Sequence, residues 1–313
     1  MFDQSVAPAA PLDALARATD RSRRALLLAN PKARSGDSDL AEARAALREG
    51  GVETETLLRP GGDFAEAIRA AVAAYDLVVI GGGDGTLNAC AGALAETRLP
   101  FGILPLGTAN DLARSLGLPT DPVEAARLIA EVPARPIDLG CVNGHHFFNV
   151  ASVGFSADLA GELTAELKRR WGTLGYALAA YRLLRKARPF RVWIEHDGQK
   201  ERVTTFQASV GAGRHYGGGM TIAADARPDD GLLHFYSLEV RSWWRLVTLL
   251  PALRKGTQGE AADVRAFDTT EVVLKTRRPR QVNTDGELTT QTPAHIRILP
   301  GAVLVHAPAA GPV

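Results

Sequence analysis

Residues 77–114 read LVVIGGGDGTLNACAGALAETRLPFGILPLGTANDLAR. Leu77-Val78-Val79-Ile80 is an all-apolar run followed at once by glycine, the pattern of a buried parallel strand that ends in a loop. In the loop Gly81-Gly82-Gly83-Asp84-Gly85-Thr86, glycines without Cβ let backbone N–H groups approach a phosphate closely. A helix from Leu87 to about Ala95 would point its positive end at the same place. That is an anion cradle.

Two familiar cradles are excluded by letter. A Walker A loop needs Lys-Ser/Thr after its last glycine, and here Gly85 is followed by Thr86-Leu87. The dinucleotide fingerprint fails because its third glycine would fall on Thr86. What remains is a glycine loop carrying an acid. Asp84 would repel an anion unless a cation bridges them, which argues for Mg²⁺ or catalytic electrostatics; the plainer alternative is an Asx-turn that shapes the loop. Phe101-Gly102-Ile103-Leu104 repeats the arrangement, running into Pro105-Leu106-Gly107-Thr108-Ala109-Asn110-Asp111 and a short helix stopped by Gly117 and Pro119. Two successive strand-loop-helix units bring two polar loops to one sheet edge, where open α/β sheets bind ligands.

Working outward, Ala25–Ala29 reads as a first buried strand, 39–49 as a helix, Thr54–Leu58 as a strand and Asp63–Ala74 as a helix, the rhythm of a parallel sheet. Asp121-Pro122-Val123-Glu124 starts a further helix with cap, N1 proline and capping-box acid, and Pro133 and Pro136 bracket a crossing into a second region. The pattern then changes to hairpins: Asp138–Val142 and His146–Val150 around Asn143-Gly144, and Arg191–His196 and Arg202–Ser209 around Asp197-Gly198. Further strands are expected at Leu232–Leu238, Glu271–Thr276, His295–Leu299 and Val303–His306, with helices at Ala157–Arg188 and Ser242–Lys255. The expectation is an α/β, Rossmann-like N-terminal domain (23–134) after a loose tail (1–22). A β-rich C-terminal sandwich or barrel with inserted helices (135–313) follows, its last segment a candidate to return to the first domain.

At 313 residues the chain suits two domains, and 46% hydrophobic with 23% charged residues is ordinary for a soluble protein. A net charge of +1 offers no global attraction to nucleic acid, and two cysteines without ligand spacing, Cys90 and Cys141, fit a reducing cytoplasm rather than a disulfide or zinc framework. Apolar stretches fall far short of the roughly 20 residues of a membrane span, and no signal-peptide core is visible, so lipid contact would be peripheral. Lys168-Arg169-Arg170-Trp171 with Arg182, Arg185, Lys186 and Arg188 suits either an anionic membrane surface or a solvated helix face. No Gly-x-Ser-x-Gly elbow points to a hydrolase. Nothing in the sequence fixes the oligomeric state.

The chain resembles the diacylglycerol kinase catalytic-domain family, which includes bacterial diacylglycerol kinases, sphingosine kinases and ceramide kinases. The matching elements are Asn30-Pro31 with Ser35-Gly36, Gly82-Gly83-Asp84-Gly85-Thr86, Gly107-Thr108-Ala109-Asn110-Asp111, Asp138-Leu139-Gly140, Gly217-Gly218-Gly219, Asp229-Asp230-Gly231-Leu232 and Asp285-Gly286-Glu287. They span about residues 25 to 305 in the family's order. The resemblance implies a fold of the NAD kinase and phosphofructokinase kind in the first domain, and ATP with Mg²⁺ in the cleft. It implies a lipid alcohol such as diacylglycerol as acceptor at a membrane surface. Glu287 becomes the general base, with Asp84, Asp111 and Asp138 looking out on the nucleotide and its Mg²⁺ directly or through water, unless Asp138 merely fixes the interdomain turn. Nucleotide contacts would come from Asn30, Pro31, Lys32, Gly82, Gly83, Asp84, Gly85, Thr86, Leu87, Asn88, Thr108 and Asn110. Arg227, Asp230 and Leu232 would hold a second, structural metal.

Two departures stand out: Leu58, with Thr56 nearby, occupies the place of a nucleotide-contacting threonine, and Ala223-Ala224-Asp225 stands where a proline is usual. A sphingoid-base, ceramide or phosphatidylglycerol kinase is the nearest alternative. A nucleotide- or lipid-binding regulator without turnover, and an NAD kinase, are alternatives of other kinds.

Overall fold

The computed structural model describes residues 22–29, 37–58, 64–162, 188–240 and 242–309. The first half alternates as its hydrophobic pattern requires: β1 (Arg23–Ala29), α1 (Asp37–Glu49), β2 (Val52–Leu58), α2 (Phe64–Ala71), β3 (Leu77–Gly82), α3 (Asp84–Thr97) and β4 (Phe101–Pro105). The strands pair in parallel in the order β2-β1-β3-β4. Because strand side chains alternate, each apolar run feeds two cores. Leu26, Leu28, Val78 and Ile80 pack with α2 and α3, whereas Ala25, Leu27, Leu77 and Val79 pack with α1 and a later helix.

That later helix is α5 (Pro122–Glu131), which follows the five-residue α4 (Asp111–Ser115). Asp121 caps α5 as expected, accepting from the N–H groups of Val123 and Glu124 at 2.9 and 3.0 Å. Glu124 pairs with Arg127 one turn on.

The second half is built from β5 (Ala134–Val142), β6 (His145–Phe147), β7 (Val150–Gly154), α6 (Phe155–Glu162), β8 (Phe190–His196), β9 (Gln199–Thr205), β10 (Gln207–Gly211), β11 (His215–Tyr216), β12 (Met220–Thr221) and β13 (Leu233–Leu238). Then come α7 (Trp243–Lys255), β14 (Val264–Thr269), β15 (Glu271–Thr276), β16 (Gln281–Thr284), β17 (Glu287–Gln291) and β18 (Ala294–His306). A six-stranded antiparallel sheet in the order β14-β13-β10-β7-β16-β17 faces strands β8, β15 and β18, with Val153, Val192, Val210, Phe235, Leu274 and Ile296 in the core between them. This is a sandwich.

β18 joins the halves. The two short runs expected at its position are one 13-residue strand bulged between Leu299 and Val303. One end pairs with β15 and the other reaches β4, where Val305 opposes Phe101, so a single sheet of ten strands runs through both halves. Three hairpins turn on residue pairs that both have positive φ: Asn143-Gly144, Asp197-Gly198 and Asp285-Gly286. The expected helix Ala157–Arg188 begins at Phe155; residues 163–187, with their basic and aromatic side chains, lie outside the described residues, as do 1–21.

Candidate active site

The glycine loop is shorter than its letters suggest, because α3 starts at Asp84 rather than at Leu87. Gly83 caps it in extended backbone, and its carbonyl accepts from the N–H groups of Thr86 and Leu87 at 3.0 and 3.1 Å. Asp84 and Gly85 are therefore the first helical residues, whose N–H groups an α-helix leaves without an internal acceptor. The side chain of Thr86 folds back on Gly82, where an added Cβ would lie 2.6 Å from it. Leu87 is buried in the core at 2% exposure, and Asn88 Oδ1 is buried with no hydrogen-bond partner.

The two sheet-edge loops touch back to back. A Cβ on Gly107 would lie 2.5 Å from Gly83 Cα, so only glycine permits the approach. Asn110, at φ +52°, shapes its own loop: its Oδ1 accepts from Gly107 N–H at 3.0 Å and its amide donates to the carbonyls of Gly107 and Pro105. Thr108 is exposed. Asp84 reaches across to accept from Leu112 N–H at 3.1 Å, tying the start of α4 to the first loop.

The sandwich supplies the opposite wall. Gly218 N–H donates to Asp111 Oδ2 at 2.8 Å, and His215 N–H donates to Ser115 Oγ at 3.0 Å. Burial pushes the Asp111 carboxyl above its ordinary pKa, with the charge of Asp84 adding to the rise. Its Oδ1 is buried with no partner. Asp285, the first residue of the β16–β17 turn, accepts from the N–H groups of Phe148, Asn149 and Val150 at 2.8, 3.0 and 2.9 Å. Burial, aided by the charge of Asp84, raises its pKa to about 7 against those three donors.

With the turn anchored there, Glu287 stands exposed and its Oε1 lies 3.7 Å from where a Cβ on Gly85 would sit. Glu287, Asp84 and Asp111 thus converge on the N-terminal turn of α3 from two loops and the opposite sheet. Asp285 was legible as half of an Asp-Gly turn, but nothing in the sequence told that its carboxylate clamps residues 148–150.

Two other expected acids sit elsewhere. Asp138 accepts from Gly231 N–H and Gly301 N–H, each at 2.7 Å, which binds β5 to the 227–232 turn and to the bulge of β18. Arg227, Asp230 and Leu232 do come together, but the set closes on itself. Asp230 accepts from the N–H groups of Arg227 and Leu232, both at 2.9 Å, and from His234, whose other ring nitrogen lies 2.8 Å from Asp268. Burial opposes a charged His234, yet its two carboxylate partners outweigh that and raise its pKa. In this turn the Asp230 carboxylate is already engaged by three donors. Among the described residues no group of three or more His, Cys, Asp or Glu side chains is arranged to hold a metal ion.

Asn30, Pro31 and Lys32 lie outside the described residues; β1 ends next to them at Ala29, which pairs with Gly81. Thr56 has its hydroxyl buried without a partner.

Comparison with known proteins places the chain in a family. The diacylglycerol kinase catalytic domain matches residues 24–142, and the YegS C-terminal NAD kinase beta sandwich-like domain matches residues 149–307. A Chromohalobacter salexigens protein named probable lipid kinase YegS-like is 34% identical over 283 residues, covering 86% of this chain and 89% of that one. The Bacillus subtilis diacylglycerol kinase is 31% identical over 253 residues, covering 79% and 84%. The crystal structure of a diacylglycerol kinase from Bacillus anthracis superposes with a TM-score of 0.77 at 28% identity, covering 93% of this chain and 98% of that one. With its glycine loop, its second loop and its sandwich all matched in order, the chain belongs to the diacylglycerol kinase catalytic-domain family, with a YegS-type C-terminal domain.

Proposed function

We propose that the protein is an ATP-dependent lipid kinase that phosphorylates the hydroxyl of diacylglycerol or a similar lipid alcohol, giving phosphatidic acid or the analogous lipid phosphate. The observation that carries this reading is the approach of the exposed Glu287 carboxylate to Gly85, at the helix turn where a triphosphate would rest. In this reading the N–H groups of Asp84 and Gly85 receive phosphate oxygens, and the missing Cβ of Gly85 leaves room for them. Glu287 takes the proton of the lipid hydroxyl as its oxygen attacks the γ-phosphorus, the bond to the bridging oxygen breaks and ADP leaves.

Mg²⁺ bound with the nucleotide would offset the charge of the transferring phosphate. Asp84 and Asp111 suit it, since Asp111 Oδ1 is buried with no donor and a hard cation prefers carboxylate oxygen. Their charges also account for the acid-rich cleft, which without a cation would repel ATP. The enzyme would work from the cytoplasm at the membrane surface; no described helix is long and apolar enough to cross a membrane.

The Bacillus subtilis relative is named for diacylglycerol and the Chromohalobacter salexigens one only as a lipid kinase, and a sphingoid base, ceramide or phosphatidylglycerol would offer the same hydroxyl chemistry. Incubating the protein with labelled ATP and fractionated lipid extracts tests the reading. The expected result is label in a lipid heavier than its precursor by one phosphate. ADP release that no lipid stimulates, or NADP formation from NAD, would refute it.

A further inference from the structure

Helix α7 reads WWRLVTLLPALRK, with three basic residues and no acid. Leu246, Leu249 and Leu253 form its inward face, packed with Tyr236, Leu238 and Val264 on the outside of the six-stranded sheet. The other face is also apolar. Trp244, Val247 and Leu250 are 64%, 36% and 45% exposed, and Pro251 is exposed beside them. Spacings of three and four residues put these side chains on one stripe. Scattered exposed apolar residues need no explanation, but Trp244, Val247 and Leu250 gather on one helix, which marks an interaction surface.

The charge on this helix selects the partner. Arg245 is held by Asp263 at 2.7 and 3.0 Å, which leaves Arg254 and Lys255, both exposed in the last turn, as its outward charge. An indole, aliphatic side chains and terminal Lys/Arg without acids are what a helix lying in the headgroup region of an anionic leaflet needs. The stripe is also fixed relative to the cleft. Arg254 C=O accepts from Thr221 Oγ1 at 3.0 Å, and Gly256 packs so closely on Ala223 and Ala224 that a Cβ would meet them at 2.8 and 2.6 Å. That segment follows Gly217–Gly219, whose middle N–H binds Asp111.

We propose that the outward face of α7 is the surface by which the protein docks on an anionic lipid bilayer. The partner class rests on the lipid-kinase reading, while the binding itself is measured without turnover. The test uses the full chain and vesicles of phosphatidylcholine with or without phosphatidylglycerol. Val247→Glu/Leu250→Glu is expected to lower partitioning onto anionic vesicles by about tenfold or more. Arg254→Ala and Lys255→Ala should each lower it about fivefold, an effect that salt removes. Because these side chains are exposed, thermal midpoints and turnover on detergent-dispersed short-chain lipid should stay at the wild-type level.

Unchanged partitioning of the double variant overturns the proposal. So does a wild-type dimer that the double variant converts to monomer, since the face would then be covered by a second copy. The two readings fail separately. Lost vesicle binding in the variants with no lipid-stimulated ADP release from the wild type removes the kinase reading and leaves the docking surface; normal turnover with undiminished vesicle binding does the reverse.

Discussion

Glu287 differs from an ordinary surface glutamate by what stands opposite it. Its Oε1 lies 3.7 Å from the Cβ position of Gly85, so the space between the two walls is set by a glycine at a helix start. Gly85→Ala should fold normally, the new methyl making only ordinary contact, and should raise the KM for ATP about tenfold or more by filling the space of the phosphates. Gly107→Ala should behave differently. Its Cβ would meet Gly83 Cα at 2.5 Å and Asn110 Oδ1 at 2.6 Å, so a loss of about 1–3 kcal/mol is expected in chemical denaturation.

Asp285 carries a pH signature. Its folded pKa is raised to about 7, so its protonated form favours the fold. Its contribution is complete below the unfolded carboxylate range and is lost as pH rises from about 4 to about 7. Asp285→Asn should flatten that part of the stability profile of the nucleotide-free protein. It should also cost about 1–3 kcal/mol, because an amide nitrogen would replace the oxygen that accepts from Phe148 N–H. The placement of Glu287 opposite the glycine turn was expected from the series of motifs, whereas the clamp of Asp285 was not legible, because its partners are 135 to 137 residues away.

At the scale of elements, the parallel strands were the most legible part, since β1, β3 and β4 are buried on both faces and read as unbroken apolar runs. β17 was not legible. Glu287-Leu288-Thr289-Thr290-Gln291 is an edge strand with no buried residue, so it shows no alternation. β18 reads as two strands because Pro300-Gly301 interrupts its pattern, yet Gly301 N–H bonds to Asp138 and the strand continues past the bulge. Asp138→Ala would leave two half-buried N–H groups without an acceptor. A loss of about 1–3 kcal/mol is expected on thermal or urea unfolding, with ATP affinity unchanged in the folded fraction. A fall in nucleotide affinity at full folding would instead place Asp138 at the nucleotide.

For the whole molecule, the two walls of the cleft stand on different sheets: β3 and β4 of the ten-stranded sheet present the two loops, the six-stranded sheet holds the β16–β17 turn, and β18 both pairs with β4 and packs under that second sheet. The composition could foretell two kinds of architecture, but not that the sheet runs unbroken between them, because that pairing rests on Val305 meeting Phe101 some 200 residues apart. The separation of Glu287 from the glycine turn is therefore set by how the six-stranded sheet packs on β8, β15 and β18 and by the clamp of Asp285 on residues 148–150. Steady-state lipid-dependent ADP release by Glu287→Gln, measured beside its affinity for ATP, tests this arrangement most directly. The account predicts a fall in turnover of about 10²–10⁴-fold with ATP affinity within about twofold of wild type. Wild-type turnover in that variant would contradict it.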